Sequence, residues 1–190
     1  GNIIRYNYFH NIHGAGRFCD ARIIYLDLPV GGTTVYGNVF YDLDKGFFTN
    51  SGRNCVIENN IFVKCNPSID INVYRAPSHY VLGGAWRLLE RLHEVNYKKP
   101  PYSTKYPWLT KILSKDDDPA IPTGNVVVRN ISYGGRWLNL HSELDFSVVK
   151  VKDNLIADPI LCKWRQRIQE EENGSNTYKF GDKIMMEILQ

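Results

Sequence analysis

The sequence is poor in cysteine and methionine, has no long apolar run and carries no large excess of either charge. Its four cysteines, Cys19, Cys55, Cys65 and Cys162, are too few for a disulfide scaffold and lack the paired spacing of a zinc site. They leave the redox compartment open. No stretch of about 18 apolar residues is present, so no helix is expected to span a membrane. Lys and Arg number 23 against 20 Asp and Glu, a net charge of +3 with both signs spread along the chain. That balance argues against a dedicated nucleic-acid binder, which would show a basic stripe. The chain opens Gly1-Asn2-Ile3 without an initiator methionine, a signal peptide or a capping segment. Because its first residues already belong to the repeat described next, the expectation is a piece of a longer protein, packed against further coils of its own chain.

A hydrophobic content of 43% with 13% aromatics excludes general disorder. A chain of 190 residues suits one domain that buries roughly 70% of its unfolded surface, so no disulfide or metal staple is required. Asparagine is the anomaly. There are seventeen, many inside apolar runs, although asparagine is depleted in strands.

Five segments align on one asparagine each: Ile4-Arg5-Tyr6-Asn7-Tyr8-Phe9, Val35-Tyr36-Gly37-Asn38-Val39-Phe40, Ile57-Glu58-Asn59-Asn60-Ile61-Phe62, Val127-Val128-Arg129-Asn130-Ile131-Ser132 and Val151-Lys152-Asp153-Asn154-Leu155-Ile156. Ile or Val always stands three residues before the asparagine, and the residue after it is usually apolar. Successive asparagines are 31, 22, 70 and 24 residues apart, a period near 22–24 with two insertions. Short β-branched strands at this period predict a solenoid, and the leucine-rich frame is absent. A parallel β-helix of about five coils fits best. An asparagine at each corner tolerates the left-handed conformation, and its amide can donate and accept along the stack.

A second set of strands recurs about ten residues before each repeat: Ile23–Asp27, Gly46–Asn50, Ser68–Asn72 and Trp137–His141. Side chains alternate between faces. Ile24/Leu26, Phe47/Thr49, Ile69/Ile71 and Leu138/Leu140 are expected to point inward. Two outward rows follow: Tyr25, Phe48, Asp70, Asn139 and Asp27, Asn50, Asn72, His141. They predict a polar and aromatic groove across stacked coils. A long insertion, residues 73–124, leaves this strand set. Helical spacing over Ala85–His93 and a second short helix near Tyr106–Leu113 suggest a wall or lid beside the groove. Residues 1–160 are thus expected to form the coils, and 161–190 a tail or cap.

The motifs Asn59–Val63, Thr34–Tyr41, Ile24–Asp27, Lys105–Leu109 and Gly124–Ser132 carry a resemblance. Over roughly residues 1–160 the chain resembles the right-handed parallel β-helix proteins of the pectin-lyase-like superfamily. More narrowly, it is similar to secreted bacterial β-helix proteins related to glycoside hydrolases. The resemblance implies a secreted, extracellular or periplasmic protein acting on or binding a polysaccharide through carboxylates on an outward strand face. Asp27 matches the family's usual Asp. Asn50 and Asp70-x-Asn72 stand where the family often has His and His-x-Asp, and Leu28 replaces a second Asp.

Glycosidic bond cleavage usually needs two carboxyl groups. Asp27 and Asp70 are the outward carboxylates of the two rows and the candidate catalytic pair, two coils apart and so about 9.5 Å from each other in backbone terms. Tyr25, Phe48 and Trp137 are candidate stacking platforms, and Asn50, Asn72, Asn139 and His141 candidate hydrogen-bonding groups. The alternative is a non-catalytic glycan-binding or adhesive solenoid, in which the same groove binds without cleaving. A further alternative is a polysaccharide lyase, with Arg53, Arg75, Lys45 or His141 as base or cation and Ca²⁺ beside the uronate. Otherwise no cofactor and no metal is expected. His10-x-x-His13 lacks a matching ligand set, Asp116–Asp118 lacks the spacing of a Ca²⁺ loop, and Cys55 and Cys65 read as inert buried thiols.

Overall fold

The computed structural model describes residues 1–16, 20–73, 87–115 and 117–157. Within them the chain visits three sheets in rotation. The first collects β1 (Ile3–Arg5), β4 (Thr34–Tyr36), β7 (Val56–Glu58), β10 (Asn125–Val128) and β13 (Val149–Lys152). The second collects β2 (Tyr8–Ile12), β5 (Val39–Leu43), β8 (Ile61–Cys65), β11 (Ile131–Tyr133) and β14 (Leu155–Ala157). The third collects β3 (Arg22–Leu26), β6 (Lys45–Asn50), β9 (Ile69–Asn72) and β12 (Leu138–Leu140). Every strand pairing among the described residues is parallel. This is mostly parallel sheet with few helices, an arrangement compatible with an all-β parallel solenoid.

Register follows the asparagine spacing. Val35 lies beside Ile4 and Ile57, and Val127 beside Ile57 and Val151. The aligned asparagines form a continuous ladder. Oδ1 of Asn38 accepts both the backbone N–H and the Nδ2 of Asn7, and Asn60 does the same for Asn38. Asn130 repeats this for Asn60, and Asn154 for Asn130, at 2.9–3.0 Å throughout. Each Nδ2 also reaches carbonyls of the first sheet, such as Val35 O from Asn60 and Ile57 O from Asn130. Asparagine thus supplies at the corner the donors and acceptors that a strand ladder would supply elsewhere. One detail differs from expectation. The left-handed residue is the one before the ladder asparagine: Tyr6, Gly37, Asn59, Arg129 and Asp153 all have φ between 53° and 63°. The turn is made there, which leaves each asparagine amide aimed along the stack.

Inward side chains meet in one core, which includes Val35, Ile57 and Val127 from the first sheet and Leu26, Phe47, Ile69 and Ile71 from the third. Phe9, Phe40 and Phe62 stack in register, with ring centroids 5.1 and 4.6 Å apart. Gly46 sits against this column. A Cβ there would stand 2.6 Å from Ser68 O and 2.9 Å from the Phe62 ring, so only glycine lets β6 pass so close. Opposite Phe62 in the next repeat stands Ser132, whose Oγ meets Ser68 Oγ at 3.0 Å.

Cys55 and Cys65 are buried free thiols. Burial pushes the Cys55 thiol up, and the Cys65 thiol to about 12. Since the thiolate is the reactive form, iodoacetamide should leave both unlabelled in the folded protein and label both in urea. Peptide mass spectrometry reads the result, and ready labelling of the native chain would contradict this placement. Cys19, Cys162 and Arg75 lie outside the described residues, as does the expected tail or cap at 161–190.

Among the described residues strands stop at Asn72 and resume at Asn125. The described part of the insertion between them holds α1 (Leu88–Glu94), α2 (Tyr102–Lys105) and a 3₁₀ turn, Pro107–Lys111. A fork of bonds pins it to the sheets. Arg53 donates from Nη1 and Nη2 to the two oxygens of Asp117 at 2.9 and 2.5 Å. Its Nε and Nη2 also reach Thr123 Oγ1. Both side chains are largely sheltered, at 11% and 15% exposure. The Arg53 hydrogen bond holds the Asp117 carboxyl below its ordinary 3.8 against the opposing effect of burial. A carboxyl lowered in the folded state stabilises fully above 3.8 and loses that contribution as pH falls through its folded value. Asp117→Asn should therefore lower the unfolding midpoint near neutral pH, with the gap to wild type closing in acid. A gap that persists unchanged in acid would contradict this.

Candidate functional site

One of the two expected rows stands in register, and part of the other. Tyr25, Phe48, Asp70 and Asn139 stand in register across β3, β6, β9 and β12, and Asn50 stands beside Asn72. What each side chain meets there differs from residue to residue.

Tyr25 is 43% exposed and sits edge-on to Phe48, with ring centroids 5.0 Å apart. Its hydroxyl donates to Asp27 Oδ1 at 3.0 Å. The same oxygen accepts from Asn50 Nδ2 at 3.2 Å and from the Leu28 N–H at 3.0 Å. Asp27 is exposed at the end of its strand. Asn50, 92% buried by contrast with its expected outward role, works as a brace: its amide ties Asp27 to the Tyr25 hydroxyl.

Phe48 is not an open platform. It is only 2% exposed, because the Arg22 guanidinium lies 4.4 Å from its ring centroid and Tyr25 covers its edge. Lys45 approaches to 5.8 Å. Trp137 departs further from expectation. Its ring packs against the core and meets Phe62 edge-on, with centroids 6.2 Å apart. The phenylalanine column ends at Ser132, and the indole fills the room left beyond Phe62.

Asp70 is 4% exposed. Lys45 Nζ lies 3.2 Å from its Oδ2, and Asn139 Nδ2 donates to its Oδ1 at 2.8 Å. Lys45 also pairs with Asp20 at 3.3 Å, and Asn139 in turn accepts from Arg136. Both Asp70 oxygens are thus engaged from within the protein. Register also separates the two acids along the strand, since Asp70 stands in the Tyr25 row and Asp27 two residues further on. Two strand spacings across and two residues along put their Cα atoms about 11–12 Å apart. The 9.5 Å expectation omitted that offset.

Asn72 accepts the Val73 N–H on its side-chain oxygen. His141 Nδ1 accepts the Glu143 N–H at 3.3 Å, and the His141 backbone N–H donates to Ile71 O just beyond the end of β12. Arg53 is committed to Asp117 and Thr123 and does not reach this face. The His10/His13 pair diverges. His10 stacks on Tyr8 at 4.7 Å, while His13 Nδ1 meets Asp44 Oδ1 at 2.9 Å, a bond that raises the imidazole above its ordinary value. Asp44 also accepts the N–H groups of Gly14 and Ala21. Among the described residues no three His, Cys, Asp or Glu side chains gather as a metal site. Asp118 caps the Ala120 N–H, and Asp116 lies outside the described residues.

Cations at the strand mouths complete the face. Arg22 and Lys45 are in register at the starts of β3 and β6, and each stands three residues before an aromatic of the outward row. Strand parity alone turns both inward, but at the corner their long stems reach out over Phe48. The repeated basic-x-x-aromatic spacing, Arg22/Tyr25 and Lys45/Phe48, was the available signal for this pairing. No described helix is long and apolar enough to cross a membrane. No family model, no curated protein and no solved structure matches the chain.

Proposed function

We propose that this chain is part of a right-handed parallel β-helix of the pectin-lyase-like kind, a secreted carbohydrate-active protein whose third sheet binds a polysaccharide on its outward face. The observation that carries the proposal is the exposed Tyr25 ring, braced through its hydroxyl by Asp27 and Asn50 and flanked by Arg22 at 5.0 Å. A rigid aromatic face beside fixed donors and acceptors suits a sugar ring, which has an apolar face and a rim of hydroxyls.

The non-catalytic form of this proposal is the better supported. Asp70 has both oxygens occupied by Lys45 and Asn139. Hydrolysis is the second reading, favoured by the exposure of Asp27 beside Tyr25. A lyase would draw on Lys45 or His141, and calcium enters only under that reading; the glycan-binding form needs no cofactor. The test is a panel of neutral and acidic polysaccharides, scored for retention and for release of reducing ends together. Retention without new reducing ends supports the binding form. New reducing ends that vanish in Asp27→Asn transfer the proposal to hydrolysis, and an unsaturated, ultraviolet-absorbing product transfers it to a lyase. No retention of any polysaccharide overturns it.

A further inference from the structure

Beside Asp27, and separate from the outward rows, lies a concave apolar space of about 320 Å³. One wall is the segment after β3, including Leu28, Val30 and Gly31. The other is the insertion, with Leu89 and Leu92 on α1 and Trp108 and Ile112 on and after the 3₁₀ turn. None of the α1 or 3₁₀-turn residues is fully buried, so their apolar side chains border a gap rather than a filled core.

The gap is built. Arg53 and Asp117 clamp the insertion to the sheets at one margin. At another, Gly31 abuts the insertion so closely that a Cβ would lie 3.3 Å from the Trp108 ring and 2.6 Å from Arg53 O. These contacts pin the walls beside the space and hold them apart across it. Among the described residues of the lining Arg53 is the charged one, and its guanidinium is spent on Asp117 and Thr123. Water placed there would find few polar partners, and an ionic ligand no uncommitted counter-charge in the lining.

We propose that this space binds a small uncharged aromatic molecule of about two fused rings. Volume sets the size: an apolar cavity of about 150 Å³ takes one benzene ring, and this space has about twice that. Leucine and isoleucine side chains supply the faces and Trp108 an aromatic wall, the lining that favours a flat apolar ring. Preformed walls spare the ligand the cost of ordering them.

2-Naphthol is the probe, titrated into the full chain by calorimetry. One saturable site per chain is expected. Leu92→Phe and Val30→Phe fill the space from opposite walls, and each should weaken binding by roughly tenfold or more while circular dichroism stays native. The anion 2-naphthoate should bind weaker by a similar factor. Absence of saturable binding to the wild-type chain overturns the proposal, whatever the polysaccharide panel shows. Unchanged affinity in both folded variants overturns it too, and two substitutions on separate walls guard against one failing to fold.

Discussion

Asn60→Ala should destabilise the protein by about 2–4 kcal/mol in urea unfolding. Asn60 is fully buried in the middle of the ladder. Its Oδ1 is the acceptor for the Asn38 backbone N–H, and its Nδ2 donates to Val35 O and to Asn130 Oδ1. Alanine leaves that N–H without its acceptor, and each buried orphan costs about 1–3 kcal/mol. A cavity adds to the loss. Asn60→Asp should be worse than alanine near neutral pH. It keeps an acceptor for Asn38 but turns a buried anionic oxygen toward Asn130 Oδ1 and Val35 O, where a donor stood. Asn7 is the control. It is exposed, and its Nδ2 donates to Arg5 O and Asn38 Oδ1. Asn7→Ala should cost under about 1 kcal/mol. Equal losses at Asn7 and Asn60 would contradict the ladder as the corner's structural element.

Phe40→Ala should cost about 3–5 kcal/mol, the range for an aromatic removed from a packed core. Phe40 is fully buried and has a ring on either side, Phe9 and Phe62, at centroid distances of 5.1 and 4.6 Å. Both stacking contacts are lost, each worth about 0.5–1.5 kcal/mol beyond the buried area. The neighbours cannot close the hole easily, because each ring is carried by its own hydrogen-bonded strand. Phe9→Ala, at the half-buried end of the column, should cost clearly less. Thermal or urea unfolding of the two variants side by side decides it.

Much of this architecture was legible because a stack repeats its chemistry. The spacings 31, 22, 70 and 24 between aligned asparagines are the separations bridged by the ladder bonds. Strand parity placed Ile24, Phe47, Ile69 and Ile71 in the core and put Tyr25, Phe48, Asp70 and Asn139 in one row. Parity gives direction but not what lies across a side chain. Phe48 does belong to the outward row, yet Arg22, from the start of the neighbouring strand, lies over its ring. Asp70 belongs to it too, and Lys45 and Asn139 close around its carboxylate. Trp137 turned inward for a reason held in another strand, the change from phenylalanine to Ser132 in the core column. The left-handed corner position also escaped the pattern, because five different residues, Tyr6, Gly37, Asn59, Arg129 and Asp153, occupy it. Only the hydrogen-bonding duty at the next position demands one residue type.

The glycan-binding account rests on Tyr25, and one comparison tests it most directly. Tyr25→Ala and Tyr6→Ala should be measured by affinity electrophoresis against the polysaccharide that the wild-type chain retains best. Tyr6 is 68% exposed but lies between β1 and β2, away from the third sheet. The account predicts that Tyr25→Ala loses roughly tenfold or more in affinity, the scale of one well-placed aromatic anchor, while Tyr6→Ala binds as wild type does. Undiminished retention by a folded Tyr25→Ala protein would contradict it.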